Sequence, residues 1–244
     1  MFTHYRTQGF IFKKVDRGEA DRIFTIFTKD FGKLELLAKA ERKITSKLRA
    51  GLELFYLSEI EFIQGKTHKT LTDTILINNF KNLRSDLKRL KIAYRVSEVL
   101  DKLVRGQEPD KKIWQLLNEV FNRLNSLEIK NWKIRIVYHY FLWNLLSILG
   151  YQPELYYCSL CQKKLTPENI FFNLKEGGLI CVRCRKLTRK GTTKKIKAET
   201  VKILRIILER DWPTLKRLKI DKEESNQLAE ISNLYLLETL RQVG

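Results

Sequence analysis

The hydrophobic rhythm of the chain changes near residue 80. From Thr7 to Ile77 apolar positions come in short runs, separated by turn formers such as Asp16-Arg17-Gly18-Glu19 and Lys29-Asp30-Phe31-Gly32. Leu52, Leu54, Tyr56, Ser58, Ile60 and Phe62 alternate with Glu53, Phe55, Leu57, Glu59 and Glu61, the two-residue period of a half-buried strand. Runs at 9–15, 22–28 and 32–38 are of similar length, and a last one, 70–77, follows a Gly65-Lys66 turn. Five short strands in this span predict a small closed sheet, with an OB-type barrel as the candidate.

Beyond Asn82 the period becomes helical. Leu83, Leu87, Leu90 and Tyr94 form a stripe that continues through Val96, Val99, Leu100 and Leu103. Ile113, Leu116, Leu117, Val120, Phe121 and Leu124 keep the three-four spacing after a Pro109-Asp110 start signal. Residues 132–149 are apolar nearly all round and end at Gly150 and Pro153, which predicts a helix at the centre of a bundle. Two amphipathic helices follow at 201–208 and 228–240, with a break at Trp212-Pro213. The expected class is α+β: a barrel domain over 1–80 and a helical domain over 81–244 that carries a cysteine segment at 158–184.

With 244 residues and 43% apolar side chains the chain has enough material for real cores, which excludes a disordered protein. The opening MFTHYRTQGF lacks a basic-then-apolar leader pattern, and four cysteines are too few for a secreted disulfide scaffold, so the expected location is the cytoplasm. The longest apolar run, 136–149, falls short of the about 20 residues of a membrane span. No membrane role is expected from it.

Charge narrows the partner. The chain carries 47 basic and 28 acidic side chains, a net +19. Residues 158–197 hold 11 basic and 2 acidic groups, a net +9. That cluster includes Arg183, Arg185, Lys186, Arg189, Lys190, Lys194, Lys195 and Lys197. A cationic excess of this size attracts polyanions, nucleic acid first and an anionic membrane surface second. Each single residue also suits a plain solvated surface charge.

Cys158-x2-Cys161 and Cys181-x2-Cys184 are separated by 19 residues, a spacing typical of a four-cysteine zinc site. Between them Ile170-Phe171-Phe172, Gly177-Gly178 and Leu179-Ile180 read as a hairpin that returns the second pair to the first. One structural zinc per chain is expected. Four thiolates leave no open coordination position for hydrolytic chemistry, and the filled site would carry −2. Free or redox-active thiols are the weaker alternative. Ordering the knuckles would also fix the basic side chains that follow Cys184.

No catalytic motif emerges. Gly65-Lys66-Thr67 resembles the end of a P-loop, but the position that requires its first glycine holds Ile60. The histidines are His4, His68 and His139, in no metal-protease grouping, and His139 lies where a satisfied core histidine is expected. Neither a G-x-S-x-G elbow nor a G-x-G-x-x-G fingerprint is present. The expectation is a protein that is not an enzyme.

Three stretches then carry a resemblance. GEADRIFTIFTKDFGKLELLAKAERKITSKLRAGLELF (18–55), LGYQPELYYCSLC (149–161) and GGLICVRC (177–184) are together similar to the bacterial DNA repair protein RecO family, the recombination mediators. The resemblance implies an amino-terminal OB domain and a helical domain with an inserted zinc finger. It also implies ATP-independent binding of single- and double-stranded DNA, strand annealing, and help in loading recombinase on DNA coated by single-strand-binding protein. RecR and the acidic C-terminal tail of the single-strand-binding protein are the implied partners, in a cytoplasmic, nucleoid-associated setting. One departure is visible: where the family often has glycine in an A-K-G-A-R segment, this chain reads Ala38-Lys39-Ala40-Glu41-Arg42-Lys43, so the turn is expected to differ and Glu41 to weaken phosphate contact.

In the matching barrel segment Arg17, Arg22, Lys39, Arg42, Lys43, Lys47 and Arg49 are the expected phosphate contacts, beside Arg183, Arg185, Lys186, Arg189 and Lys190 near the cysteines. Phe10, Phe12, Phe24 and Phe27 could stack bases, but such positions in a small barrel usually serve the core. A zinc-containing nucleic-acid enzyme is the alternative reading. An interaction adaptor whose charge only solubilises it is a third.

Overall fold

The structure, a computed structural model, describes residues 3–65, 67–128, 132–188 and 191–243. Five strands form a closed barrel: β1 (His4–Arg17), β2 (Asp21–Thr28), β3 (Gly32–Ala38), β4 (Leu57–Gln64) and β5 (Lys69–Asn78), in the order β1-β2-β3-β5-β4. All neighbours are antiparallel except β3 and β5, which meet in parallel at Leu36↔Lys69 and Leu37↔Thr70. This is the OB-type closure expected from the strand rhythm. A bulge between Ile11 and Lys13 bends the 14-residue β1 so that it pairs with β2 along one part and β4 along another.

Alternation sends Ile11, Phe24, Ile26, Leu34, Leu36, Ile60 and Phe62 into the barrel. Phe10 and Phe12, on either side of Ile11, are also buried, because a second core lies outside the barrel. There Phe121 packs 5.1 Å from Phe10, 5.9 Å from Phe12 and 5.5 Å from Phe80 between ring centroids, and Trp114 lies 5.1 Å from Phe10. Phe24 and Phe27 are fully buried as well. All four phenylalanines weighed as stacking platforms thus belong to cores.

The sequence expectation fails in one part of the barrel. Residues 52–56 continue the alternation of the fourth strand but do not belong to it; β4 starts at Leu57. A 3-10 helix at Lys47–Gly51 precedes them, and Phe55 turns to φ +65. Its N–H donates to the Ile11 carbonyl at 2.8 Å, and the Ile11 N–H donates to the Tyr56 carbonyl at 3.0 Å. These bonds tie the segment to β1, while Leu52 joins the barrel core and Phe55 packs against Tyr94 and Phe121, so its apolar pattern reports packing without strand geometry.

Three helices share this unit: α1 (Lys81–Ser85), α2 (Leu87–Leu103) and α3 (Lys111–Asn125). The stripe drawn through Leu83, Leu87, Leu90 and Tyr94 is interrupted. Asp86 is extended, and its carboxylate accepts from the Lys88 and Arg89 N–H groups, capping a new helix with a shifted phase. Leu87 is therefore 84% exposed and Tyr94 46% exposed, while Ile92, Ala93, Val96, Val99, Leu100 and Leu103 face inward. α3 follows the predicted face closely, and its Asp110 cap accepts from Lys112 and Ile113 N–H. Ser97 on α2 donates to the Phe12 carbonyl at 2.9 Å.

The chain divides into two compact units after Ile134, so α1–α3 pack with the barrel. The second unit is built round α4 (Trp132–Ile148), whose Val137, Tyr140, Phe141, Leu142, Trp143, Leu145 and Leu146 have no exposed surface. It contains a three-stranded sheet, β7-β6-β8, from β6 (Ile170–Asn173), β7 (Gly178–Ile180) and β8 (Thr193–Ile196). Its other helices are α5 (Val182–Arg185), α6 (Ala198–Leu208), α7 (Trp212–Arg217) and α8 (Lys222–Val243). β8, sequence TKKI, had no strand signal because its lysines mask the period. The Trp212-Pro213 break is the start of α7, with Arg210 at φ +58 just before it. His139 is buried, with Nδ1 3.0 Å from the Ser232 hydroxyl, which accepts from Trp143 Nε1 at 2.9 Å.

Candidate metal centre and cationic surfaces

The second unit's sheet presents its cysteines through two local turns. In the first, Cys158 N–H donates to the Lys163 carbonyl at 2.9 Å and Gln162 N–H to the Cys158 carbonyl at 2.8 Å, with Gln162 at φ +58. In the second, Cys181 precedes α5, and Arg185 N–H donates to the Cys181 carbonyl at 3.0 Å. Ser159 N–H donates to the Leu179 carbonyl at 2.8 Å, laying the first turn across β7. Gly178 permits this approach: a Cβ there would lie 2.3 Å from Ser159 Oγ and 2.9 Å from the Glu154 carbonyl oxygen.

The four Sγ atoms lie within 4.8 Å of one another, and Cys161 Sγ and Cys181 Sγ are 3.9 Å apart. A tetrahedral ZnS4 site with bonds of about 2.3 Å needs sulfur pairs about 3.8 Å apart. The donor set therefore fits zinc in kind and spacing. None of the cysteines is in a disulfide. Burial opposes ionisation of Cys158, but N–H groups of Cys161, Cys181 and Leu160 aimed at its sulfur outweigh it and bring the thiol down to about 6. Burial, together with the sulfurs of Cys161, Cys181 and Cys158, pushes Cys184 up to about 12. Four sulfurs this close cannot all be thiolates unless a cation sits among them.

β6 has a buried residue at every position, and its two phenylalanines serve different partners. Phe172 packs edge-on against Trp143 and Tyr235, which stack on each other at 5.2 Å. Phe171 points the other way, into a small core with Cys158, Ile180 and Cys184. The Arg185 guanidinium lies over the Phe171 ring, 4.3 Å from its centroid.

Of the expected basic contacts near the cysteines, Arg183, Arg185 and Lys186 are exposed, on or beside α5. Arg189 and Lys190 lie outside the described residues, as does Lys66 of the P-loop-like string. Lys194 and Lys197 pair with Glu230 at 2.8 Å and Glu223 at 2.6 Å on α8, so part of the local charge is neutralised. Arg183 also lines a cleft of about 870 Å³ that reaches Cys161, Cys181 and Cys184. Lys163, Lys164 and Lys175 extend its cationic wall, and Leu160 and Leu187 its apolar rim. Sequence reasoning counted these lysines in the segment charge without singling them out; the fold brings them together.

In the first unit the β1–β2 turn and the segment after β3 meet. Arg42 N–H donates to the Ala20 carbonyl at 3.0 Å, Arg42 Nη1 donates to the Gly18 carbonyl at 3.2 Å, and the Asp21 carboxylate accepts from Ala40 N–H at 2.7 Å. This gathers Arg17, Lys39, Arg42 and Lys43 at one end of the barrel, all exposed. Lys47 and Arg49 are exposed on the 3-10 helix. Arg22 differs: Nε donates to Asp16 at 2.7 Å and Nη1 to the buried Glu41 at 3.1 Å. Its pKa is raised, mainly by the Asp16 hydrogen bond. Glu41 points inward to brace this turn, with 2% exposure.

These features define an α+β protein that couples an OB-type barrel to a helical unit bearing four clustered cysteines, among whose described residues no helix is long and apolar enough to cross a membrane. Comparison with known proteins gives the particular family. A family profile described as recombination protein O N terminal matches residues 1–80, and one described as recombination protein O C terminal matches 84–242. The chain belongs to the recombination protein O family. The DNA repair protein RecO of Dehalococcoides mccartyi is 36% identical over 224 residues, 92% of this chain and 86% of that one. The DNA repair protein RecO of Acetivibrio thermocellus is 29% identical over 97% of this chain and 92% of that one.

Proposed function

We propose that this protein is a non-enzymatic, cytoplasmic mediator of recombinational DNA repair. It binds single- and double-stranded DNA, anneals complementary strands without ATP, and assists recombinase loading on DNA coated by single-strand-binding protein. RecR and the acidic tail of the coating protein are its partners, and one structural zinc per chain is its metal. The observation that carries this reading is the gathering of Arg17, Lys39, Arg42 and Lys43 at one end of an OB-type barrel in a chain of net +19.

The physical basis is repulsion between strands. Cations that neutralise phosphates release counterions and let two strands approach, and a barrel surface can follow a backbone without reading its bases. Arg17, Lys39, Arg42, Lys43, Lys47 and Arg49 supply such charges, while Arg22 braces the turn that holds them. Arg183, Arg185 and Lys186 form a second cationic surface. Zinc, when bound, supplies no reacting group; it would be held by Cys158, Cys161, Cys181 and Cys184 and would fix the turn that carries those arginines.

The test is annealing of complementary oligonucleotides across a salt series, with and without nucleotide. Annealing that needs no nucleotide and weakens steeply with salt is expected. An absolute ATP requirement, or no binding to any oligonucleotide in dilute buffer, overturns the reading.

A further inference from the structure

Phe171 stands between the cysteine cluster and a surface cation. Its ring is buried in the same small core as Cys158 and Cys184, and it also carries the Arg185 guanidinium at 4.3 Å. Arg185 is tied to that core through its backbone as well, since its N–H donates to the Cys181 carbonyl at 3.0 Å. Its own carbonyl accepts from the Thr188 hydroxyl at 2.8 Å and from the Thr188 N–H at 3.2 Å. Arg185 directly follows Cys184, so its backbone is joined to the cluster by one peptide bond, while its guanidinium is held by the Phe171 ring.

We propose that Phe171 is a positioning residue that couples metal loading to nucleic-acid binding by holding Arg185 in place for phosphate. The inference rests on the DNA-binding reading above. When the four sulfurs converge on a metal, the Cys158–Ile180–Cys184 core closes under the ring, and the ring's outer face becomes a fixed seat for the guanidinium. A planar, delocalised cation seated on an aromatic ring keeps its N–H edge free for phosphate oxygens. Without the metal no coordination bonds hold the four sulfurs together, the core loosens, and Arg185 loses its seat. Arg183, two positions earlier on the turn, faces the cleft instead and is not seated this way.

Coupling of this kind is reciprocal: metal strengthens DNA binding by the same factor by which DNA strengthens metal binding. A cation–π contact at a surface implies a factor of about two to five. The experiment measures two quantities on the full chain: affinity for a fluorescent single-stranded oligonucleotide with and without zinc, and zinc affinity by chelator competition with and without saturating oligonucleotide.

In the unaltered protein both should change by the same factor of about two to five. In Phe171→Leu and in Arg185→Ala that factor should fall to near one while zinc still binds at one per chain. Arg183→Ala should weaken DNA binding and leave the factor intact. Arg185→Ala keeps the core whole, so the proposal stays testable if Phe171→Leu folds poorly. A factor that survives in Arg185→Ala overturns the proposal, as does DNA affinity in the unaltered protein that ignores zinc. Absence of oligonucleotide binding in every form overturns the underlying reading with it.

Discussion

Arg22 donates to the carboxylate of Glu41 at 3.1 Å, and that carboxylate is almost wholly buried. A residue that reads in sequence as a negative charge beside a phosphate site is therefore an internal brace. It joins the start of β2 to the turn after β3, and Asp16 holds the same guanidinium from the other side at 2.7 Å. Removing the charge of this acceptor weakens a charge-assisted hydrogen bond and leaves the Arg22 guanidinium less well satisfied. Glu41→Gln should lower unfolding free energy by about 1–3 kcal/mol. Urea melts would show the midpoint drop, and an unchanged midpoint would contradict the brace.

Ala40 occupies the place where the resembling segment often has glycine, and it adopts φ +53. The turn takes a left-handed conformation at Ala40 and bears the steric cost of a Cβ, roughly 1–2 kcal/mol for an L-residue. Ala40→Gly relieves that cost but adds chain freedom to the unfolded state. The net expectation is a gain of about 0.5–1 kcal/mol, visible as a higher Tm. A loss of stability would mean that the turn is not strained.

Acid should destabilise the first unit through its paired carboxylates. Burial opposes ionisation of Asp101, but hydrogen bonds from Lys13 and Lys33 outweigh it, and its pKa is lowered. Glu53 is lowered in the same way by Lys14 against its burial. A depressed folded pKa means that the unfolded chain binds protons first, so this stabilisation is complete above the unfolded values of about 4. It is lost as pH falls below them toward the folded values. Urea midpoints should be flat near neutrality and fall below about pH 4.5, and Asp101→Asn should flatten that fall.

Removal of metal tests the cysteine cluster. Elemental analysis should find one zinc per chain, lost on Cys158→Ser or Cys184→Ser. Because a closed four-cysteine site contributes folding energy, strong chelation should lower stability by about 3 kcal/mol or more. A stable native protein that purifies free of metal would refute the site.

Phosphate contacts on the barrel should appear in the salt dependence of binding. Each lost contact lowers the slope of log affinity against log salt by about 0.7 on a single strand. Lys39→Ala combined with Lys43→Ala should therefore lower it by about 1.4 and weaken binding to all sequences alike. An unchanged slope would move the DNA elsewhere on the protein.

Much of this molecule is visible in the order of its residues. Two-residue and three-four periods announce the barrel and the long helices, Asp110 announces α3, and the spacing of Cys158, Cys161, Cys181 and Cys184 announces the cysteine cluster. The failures have distinct causes. Residues 52–56 imitate a strand because distant surfaces bury them, the stripe through Leu87 and Tyr94 is broken by the Asp86 cap, and β8 hides behind its lysines.

Sequence alone thus determined most of the barrel strands and the long helices, the excess of positive charge and the sulfur donors. Tertiary structure alone decided that Phe10 and Phe12 pack on Phe121, that Glu41 turns inward to Arg22, and that Arg185 rests on Phe171. Local periodicity states which side of an element is apolar, but it does not state which surface will cover that side. That choice is made when distant faces compete for burial, and it settles which charges remain available to a partner.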